Sequence, residues 1–295
     1  MKISAVICTH NRRALLDHSL ASLAHQDLPT ADYEVIVVDN ASTDGTREAV
    51  AALQPTMPNL RYLYEPALGL SNARNSGLRE ARGEVVAFLD DDARAEPGWL
   101  SALLDAFAAE PARPLCAGGR VVPIWEREPP RWLPAFALAS LSVIDYGETP
   151  RALDFPREWV AGCNMAFDRA FLLAAGGFDP RLGRRGANLM SNEEIALFQG
   201  VVAAGGVIRY APAAAVQHLV PASRVELGWF CRRMYAQGVS NVLVGTGSGA
   251  SPGRGREAGQ LLRARSPAQL LLPLLLMGCY ALGVTKETLR QKLRP

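Results

Sequence analysis

Three consecutive aspartates, Asp90, Asp91 and Asp92, close a fully apolar run at residues 85–89, and Asp39 closes another at 35–38. Carboxylates crowded in this way repel one another unless a cation or solvent intervenes, and hard oxygen ligands of this kind suit Mg²⁺ or Mn²⁺ rather than zinc. Thr9, Asn11 and Arg12 follow a further short apolar run at 3–8, and Asn40 follows Asp39. If these runs are neighbouring strands, their polar ends converge on one crevice with room for a cation and a ribose. An acidic triplet on its own commonly just solvates a turn. The metal reading is favoured because the triplet directly follows a buried-type strand and a second carboxylate sits at an equivalent strand end.

The elements that would position these groups are legible in the first hundred residues. Runs at 3–8, 35–38, 60–64 and 85–89 have the length of buried strands. Helix-length segments separate them. Asn11 can cap a helix carrying Leu15, Leu16, Leu20 and Leu23 on one side, the segment 71–81 ends near Gly83, and Pro97 precedes a helix with Trp99, Leu103 and Leu104. Four βα units in succession predict a mostly parallel α/β sheet with helices on both faces. Ligands then bind outside the carboxyl ends of the strands. Residues 121–156 hold six prolines with Trp125 and Trp132, too irregular for regular elements, and read as a lid or acceptor-binding loop. Strand-like 159–167, helical 170–175 and 191–204, and short strands at 207–210 and 214–217 follow.

The 295 residues carry a formal net charge of +2, with 49% hydrophobic and 20% charged residues, so a sizeable core is available and no composition rule points to disorder. The charge is uneven. From Arg224 onward eleven Lys/Arg face three Glu, which leaves −6 on residues 1–223. That body is a poor match for nucleic acid, while the basic tail suits an anionic surface. Five scattered cysteines without a CxxC pair read as reduced thiols, and the N-terminus shows no signal-peptide pattern, so the expected location is cytoplasmic, peripheral on the membrane face if the tail meets a bilayer.

Taken in order, four motifs are recognisable: Ile7-Cys8-Thr9-His10-Asn11-Arg12, Val37-Val38-Asp39-Asn40-Ala41-Ser42-Thr43-Asp44-Gly45, Leu70-Ser71-Asn72-Ala73-Arg74-Asn75, and Phe88-Leu89-Asp90-Asp91-Asp92. With Gly162-Cys163-Asn164-Met165, Gly176-Gly177-Phe178-Asp179, Asn192-Glu193-Glu194 and His218, the chain closely resembles glycosyltransferase family 2, the inverting family of GT-A fold. The resemblance runs from residue 1 to about 220. It implies a domain over 1–225 that takes a nucleotide-sugar donor, UDP-linked by default, and a hydroxyl acceptor such as a lipid-linked glycan or polysaccharide. Thr9 and Asp39 would contact the base, and Arg74 would lie near the base and diphosphate. Asp90 would face the ribose, while Asp92, with help from His218, would hold Mg²⁺ or Mn²⁺. Asn11, Arg12 and Asp91 belong to the same nucleotide-sugar site.

Glu193-Glu194 stands where the family often has Glu-Asp, with the second residue as general base. Ser191-Asn192-Glu193-Glu194 also spells a capping box, in which Glu194 would be structural and Glu193 the better base. Either carboxylate gains from a helix N-terminus, which favours its ionised form. The preferred base is Glu194. A sugar nucleotidyltransferase should carry a glycine-rich loop after the first strand, which Cys8–Arg12 lacks. A silent nucleotide- or glycan-binding relative has little reason to keep both carboxylate sets. Residues 226–295 read as a basic helical extension with a flexible linker near 245–260. The apolar run 267–284, interrupted by Gln269 and Pro273, is too short to span a bilayer. It is read as a monotopic membrane helix, against the alternative of packing on the body or in an oligomer contact.

Overall fold

The computed structural model describes residues 1–109, 113–186, 188–245 and 267–293. Four parallel strands, β1 (Ile3–Thr9), β2 (Tyr33–Asp39), β3 (Leu60–Tyr64) and β4 (Val85–Asp90), stand in the order β3-β2-β1-β4. Helices α1 (Arg13–Ala24), α2 (Thr46–Leu53) and α3 (Leu70–Glu80) connect them in turn, because parallel neighbours need a crossover and not a hairpin. Alternate side chains serve two cores. Ile3, Ala5, Ile7, Val35 and Val37 pack with Leu16, Leu20 and Leu23 of α1 and with Trp99 and Leu103 of α4 (Trp99–Phe107). Val6, Ile36, Val38, Val86 and Phe88 face the other way, against Ala73 and Leu78 of α3, Leu172 of α5 (Arg169–Ala174) and Phe198 of α6 (Glu193–Ala203). Each large side chain so buried is worth roughly 1.5–3 kcal/mol.

The register of this sheet sets the site. Thr9 pairs with Asp39 and Cys8 with Asp90, so the polar ends of β1, β2 and β4 are level. A slip of one residue would turn every core side chain to the wrong face. Beyond β4 the sheet continues through the antiparallel β9 (Asn164–Asp168), then β6 (Cys116–Gly118), β10 (Ile208–Tyr210) and β8 (Arg151–Ala152). A second, three-stranded sheet has the order β5 (Ala93–Ala95), β11 (Val216–Val220), β7 (Val121–Trp125). It places His218 opposite Ala93, and the Leu219 N–H donates to the Asp92 carbonyl at 2.9 Å. The acidic triplet and the histidine, far apart in sequence, thus become neighbours.

Several expectations are corrected here. The strand expected at 159–167 is only Asn164–Asp168 and runs antiparallel; the one expected at 214–217 is Val216–Val220. Residues 121–156 are not irregular throughout, since they contain β7, a 3₁₀ segment at Ala135–Leu141, and β8. The three-residue strands β5 and β6 are additional, and neither stands on an apolar run long enough to mark it.

The chain closes with two helices, α7 (Leu227–Val244) and α8 (Pro267–Lys292), the latter running through Pro273. They touch backbone to backbone. A Cβ on Gly238 would stand 2.3 Å from the Tyr280 carbonyl oxygen, and one on Gly283 2.1 Å from that of Tyr235, so only glycine fits at either crossing point. Leu276 of α8 is fully buried in a cluster with Leu141, Val220, Val225, Trp229 and Phe230. Apart from Gly245, which ends α7 at φ 72°, the expected linker lies outside the described residues. No described helix is long and apolar enough to cross a membrane.

Candidate active site

A cavity of about 570 Å³ opens at the carboxyl ends of β1 and β4, within the size range of ligand sites. Of the eleven residues singled out from the sequence, nine border it: Thr9, Arg12, Arg74, Asp90, Asp91, Asp92, Glu193, Glu194 and His218. Asp39 and Asn11 do not. Asp39 is buried beside the cavity, accepting from the Tyr62 hydroxyl at 2.8 Å and the Ser42 N–H at 2.8 Å. It faces an adjoining cleft with Thr43 and Tyr64. Asn11 is exposed at φ 52°, a conformation its short side chain tolerates. It accepts from the Thr43 N–H at 2.7 Å, and its own N–H donates to Ser42 Oγ at 2.9 Å. Asn11 therefore ties the loops after β1 and β2 together.

The acidic triplet is differentiated by its partners. Arg12 reaches Asp91 Oδ1 at 2.6 Å and Asp92 Oδ2 at 2.7 Å, while Thr9 Oγ1 donates to Asp91 Oδ2 at 2.8 Å. Burial, together with the charges of Asp92 and Asp90, raises the Asp91 carboxyl well above the usual carboxylate range against the pull of Arg12. Burial also opposes ionisation of Asp92, but His218, Arg12 and Arg224 outweigh it and hold this carboxylate well below its usual range. His218 Nε2 stands 3.2 Å from Asp92 Oδ1 without hydrogen-bond alignment. That oxygen and His218 Nδ1 are both buried without a hydrogen-bond partner among the described residues. Asp90, Cys163 and His218 bring one potential ligand atom each within 4.8 Å of one another.

On the facing wall Arg74 is buried between Glu193 Oε1 at 2.8 Å, Asp90 Oδ1 at 3.3 Å and the Gly162 carbonyl at 3.1 Å. Its guanidinium lies over the Phe178 ring at 5.3 Å. Glu193 is thus committed to an ion pair. Glu194 is not. It is half-buried, with Oε2 sealed from solvent and without a hydrogen-bond partner. Burial and then the neighbouring Glu193 charge push its carboxyl up to about 8. The capping box is overturned, because Asn192 precedes α6 at φ 77° and provides no side-chain cap. Ser191 Oγ turns instead to Gln237 Oε1 and Arg233 Nη1, both at 3.2 Å. Asn192 itself accepts from Gln237 Nε2 at 2.7 Å and donates to Asn241 Oδ1 at 2.7 Å, and Asn241 Nδ2 donates to the Tyr280 hydroxyl at 2.8 Å. The start of α6 is held from α7 and α8.

Sequence reasoning missed three cations on the cavity wall, Arg184, Arg224 and Arg233. Arg184 is held below its usual range by burial and then by Arg224, and it makes no ion pair among the described residues. The glycine-flanked Gly183-Arg184-Arg185-Gly186 was the available signal. Arg224 and Arg233 carried none, because only the tertiary fold brings the segment after β11 and α7 to the cavity.

Residues 4–173 match the family described as Glycosyl transferase family 2. The chain belongs to glycosyltransferase family 2. This transferase is 33% identical over 245 residues to the succinoglycan biosynthesis protein ExoM of Rhizobium meliloti, covering 81% of this chain and 73% of that one. It is 27% identical over 249 residues to the glucosyl-dolichyl phosphate glucuronosyltransferase of Haloferax volcanii, covering 81% and 76%. Among solved structures, a mannosyltransferase of Pyrobaculum calidifontis in complex with GDP-Man and Mn²⁺ superposes with a TM-score of 0.60 at 24% identity, over 100% of this chain and 76% of that one. TarS of S. aureus in complex with UDP-GlcNAc superposes at 0.57 with 21% identity, over 82% and 67%. The transferase has the GT-A fold, a mostly parallel sheet with a C-terminal helical part.

Proposed function

We propose that this transferase moves a sugar, with inversion at the anomeric carbon, from a nucleoside-diphosphate donor to a hydroxyl acceptor, with Glu194 as general base. The observation that carries this reading is the convergence, in one cavity, of the Asp90–Asp92 carboxylates, an unpartnered Glu194 oxygen and wall arginines. Thr9, Arg12 and Asp91 border the donor side of the cavity, with Asp39 and Asn11 just behind it in the neighbouring loops. Asp90 faces the ribose, and Arg74 sets its position. Arg184 and Arg224 are suited to the diphosphate, since guanidinium groups hold phosphate oxygens by paired N–H donors. UDP is the default nucleotide. The acceptor is a hydroxyl on a lipid-linked glycan or a growing polysaccharide, in keeping with the succinoglycan and dolichyl-phosphate names of the two relatives.

Asp90 and His218, which converge with Cys163, and the adjoining Asp92 Oδ1, which has no hydrogen-bond partner among the described residues, would hold a divalent cation. Two carboxylates and an imidazole suit Mg²⁺ or Mn²⁺. When bound, such an ion supplies Lewis-acid stabilisation of the charge on the departing diphosphate. The chain's own residues do the rest. Glu194 takes the acceptor hydroxyl proton as that oxygen bonds to the anomeric carbon, and the bond from that carbon to the diphosphate oxygen breaks on the opposite face. The electron pair leaves with the nucleoside diphosphate, whose charge faces Arg184 and Arg224.

A thermal-shift panel of UDP, GDP and dTDP, each with and without Mn²⁺, tests the reading, because a ligand that binds only the native state raises its melting temperature. The expected result is a shift by UDP that depends on Mn²⁺. A chain that no nucleoside diphosphate stabilises, with or without the metal, would sink it.

A further inference from the structure

We propose that the outward face of α8 is a docking surface for an anionic lipid bilayer, independent of the sugar-transfer reading. The inward face of this helix, marked by Pro273, Leu276, Gly283 and Glu287, is buried. Opposite it, Leu271, Leu274, Leu275, Leu282, Leu289 and Leu293 are 46–81% exposed. At the angular step of an α-helix these six fall within an arc of about 100° and form a stripe about 33 Å long. Elsewhere among the described residues, large exposed apolar side chains are scattered. Six of the fourteen lie on α8, and a seventh, Leu293, directly follows it. A contiguous patch of that kind marks an interaction surface rather than ordinary apolar exposure.

Charge decides what covers it. Lys286 and Arg290 flank the stripe, and with Arg232, Trp229 and Tyr235 they line a groove of about 810 Å³ beside it. Lys292 adds a further exposed cation near the end of the helix. The one acid of the helix, Glu287, is buried and borders the same groove, where Arg290 offsets its charge at 3.5 Å. Leucines between cations, with Tyr235 at the edge, match the boundary between acyl chains and anionic headgroups. A second copy of the chain offers the same leucines but only the same cations. With no described helix able to cross a membrane, α8 lies in the plane of the interface, its groove open to a headgroup phosphate.

The test is flotation of the full chain with vesicles of phosphatidylcholine alone or enriched in phosphatidylglycerol. Binding to the anionic vesicles is expected to be at least roughly tenfold stronger at low salt, and to weaken as salt rises. The combined Leu274→Glu, Leu282→Glu and Leu289→Glu variant should fall to background while its circular dichroism and melting temperature match the parent. Lys286→Gln with Lys292→Gln, which leaves the leucines in place, should lose the preference for anionic vesicles. Two outcomes overturn the proposal. One is no flotation of the parent with phosphatidylglycerol vesicles at low salt. The other is a dimer in sedimentation equilibrium that the triple glutamate variant dissolves, which would assign the stripe to a second copy.

Discussion

Glu193 and Glu194 are adjacent and chemically alike, yet the fold gives them different partners. Glu193 neutralises a buried guanidinium at 2.8 Å, and removing it leaves that cation only the longer 3.3 Å contact with Asp90, at a cost of up to about 3–5 kcal/mol. Glu193→Gln is therefore expected to unfold at markedly lower urea than the parent. Glu194→Gln should fold normally and still show the nucleotide-dependent thermal shift, but lose roughly 10²–10⁴ in kcat, the usual contribution of a general base. A loss in KM alone would point to another base. The raised Glu194 carboxyl has two consequences for pH. As a base it must be ionised, so kcat/KM should climb through pH about 8 and level off above it. For stability the sign runs the other way. The folded protein holds this proton more tightly than the unfolded chain does, so the associated stabilisation is complete in acid and is lost as pH rises through about 8. Glu194→Gln and parent should melt together near pH 4, with the variant the more stable at pH 9.

At the scale of elements, the same register that buries β1, β2 and β4 aligns their polar ends, which is why the cavity residues at these strand ends were readable from apolar runs and their terminators. Local signals failed where the chain contradicts them. Ser191 to Glu194 spells a capping box, but Asn192 takes a left-handed turn and sends Ser191 toward α7. That choice is made by partners some forty-five residues downstream, which no local pattern records. Likewise His218 meets the acidic triplet only through the pairing of β11 with β5, and the three-residue β5 is too brief to announce itself. The contact of α7 with α8 was equally hidden, although it rests on two glycines. Gly283→Ala would force the helices apart at the Tyr235 carbonyl. It is expected to cost about 1–3 kcal/mol of stability, the usual range for overpacking, measured by urea titration.

For the molecule as a whole, acidic and basic groups are sorted by task. Carboxylates gather at the strand ends, arginines close the cavity from the later part of the chain, and the remaining cations accompany the leucines of α8. Asp92→Asn tests the first of these. It should abolish the Mn²⁺-dependent part of the UDP thermal shift while leaving the metal-free melting temperature within a few degrees of the parent, because Arg12 keeps Asp91 as a partner. Equal shifts in parent and variant would move the cation elsewhere. The chain of amides from Asn192 through Gln237 and Asn241 to the Tyr280 hydroxyl carries a practical warning. Trimming the greasy end of this protein to ease its handling would also take away the outermost brace of the turn that aims Glu194. A shortened enzyme, however well behaved in solution, should be a slower one.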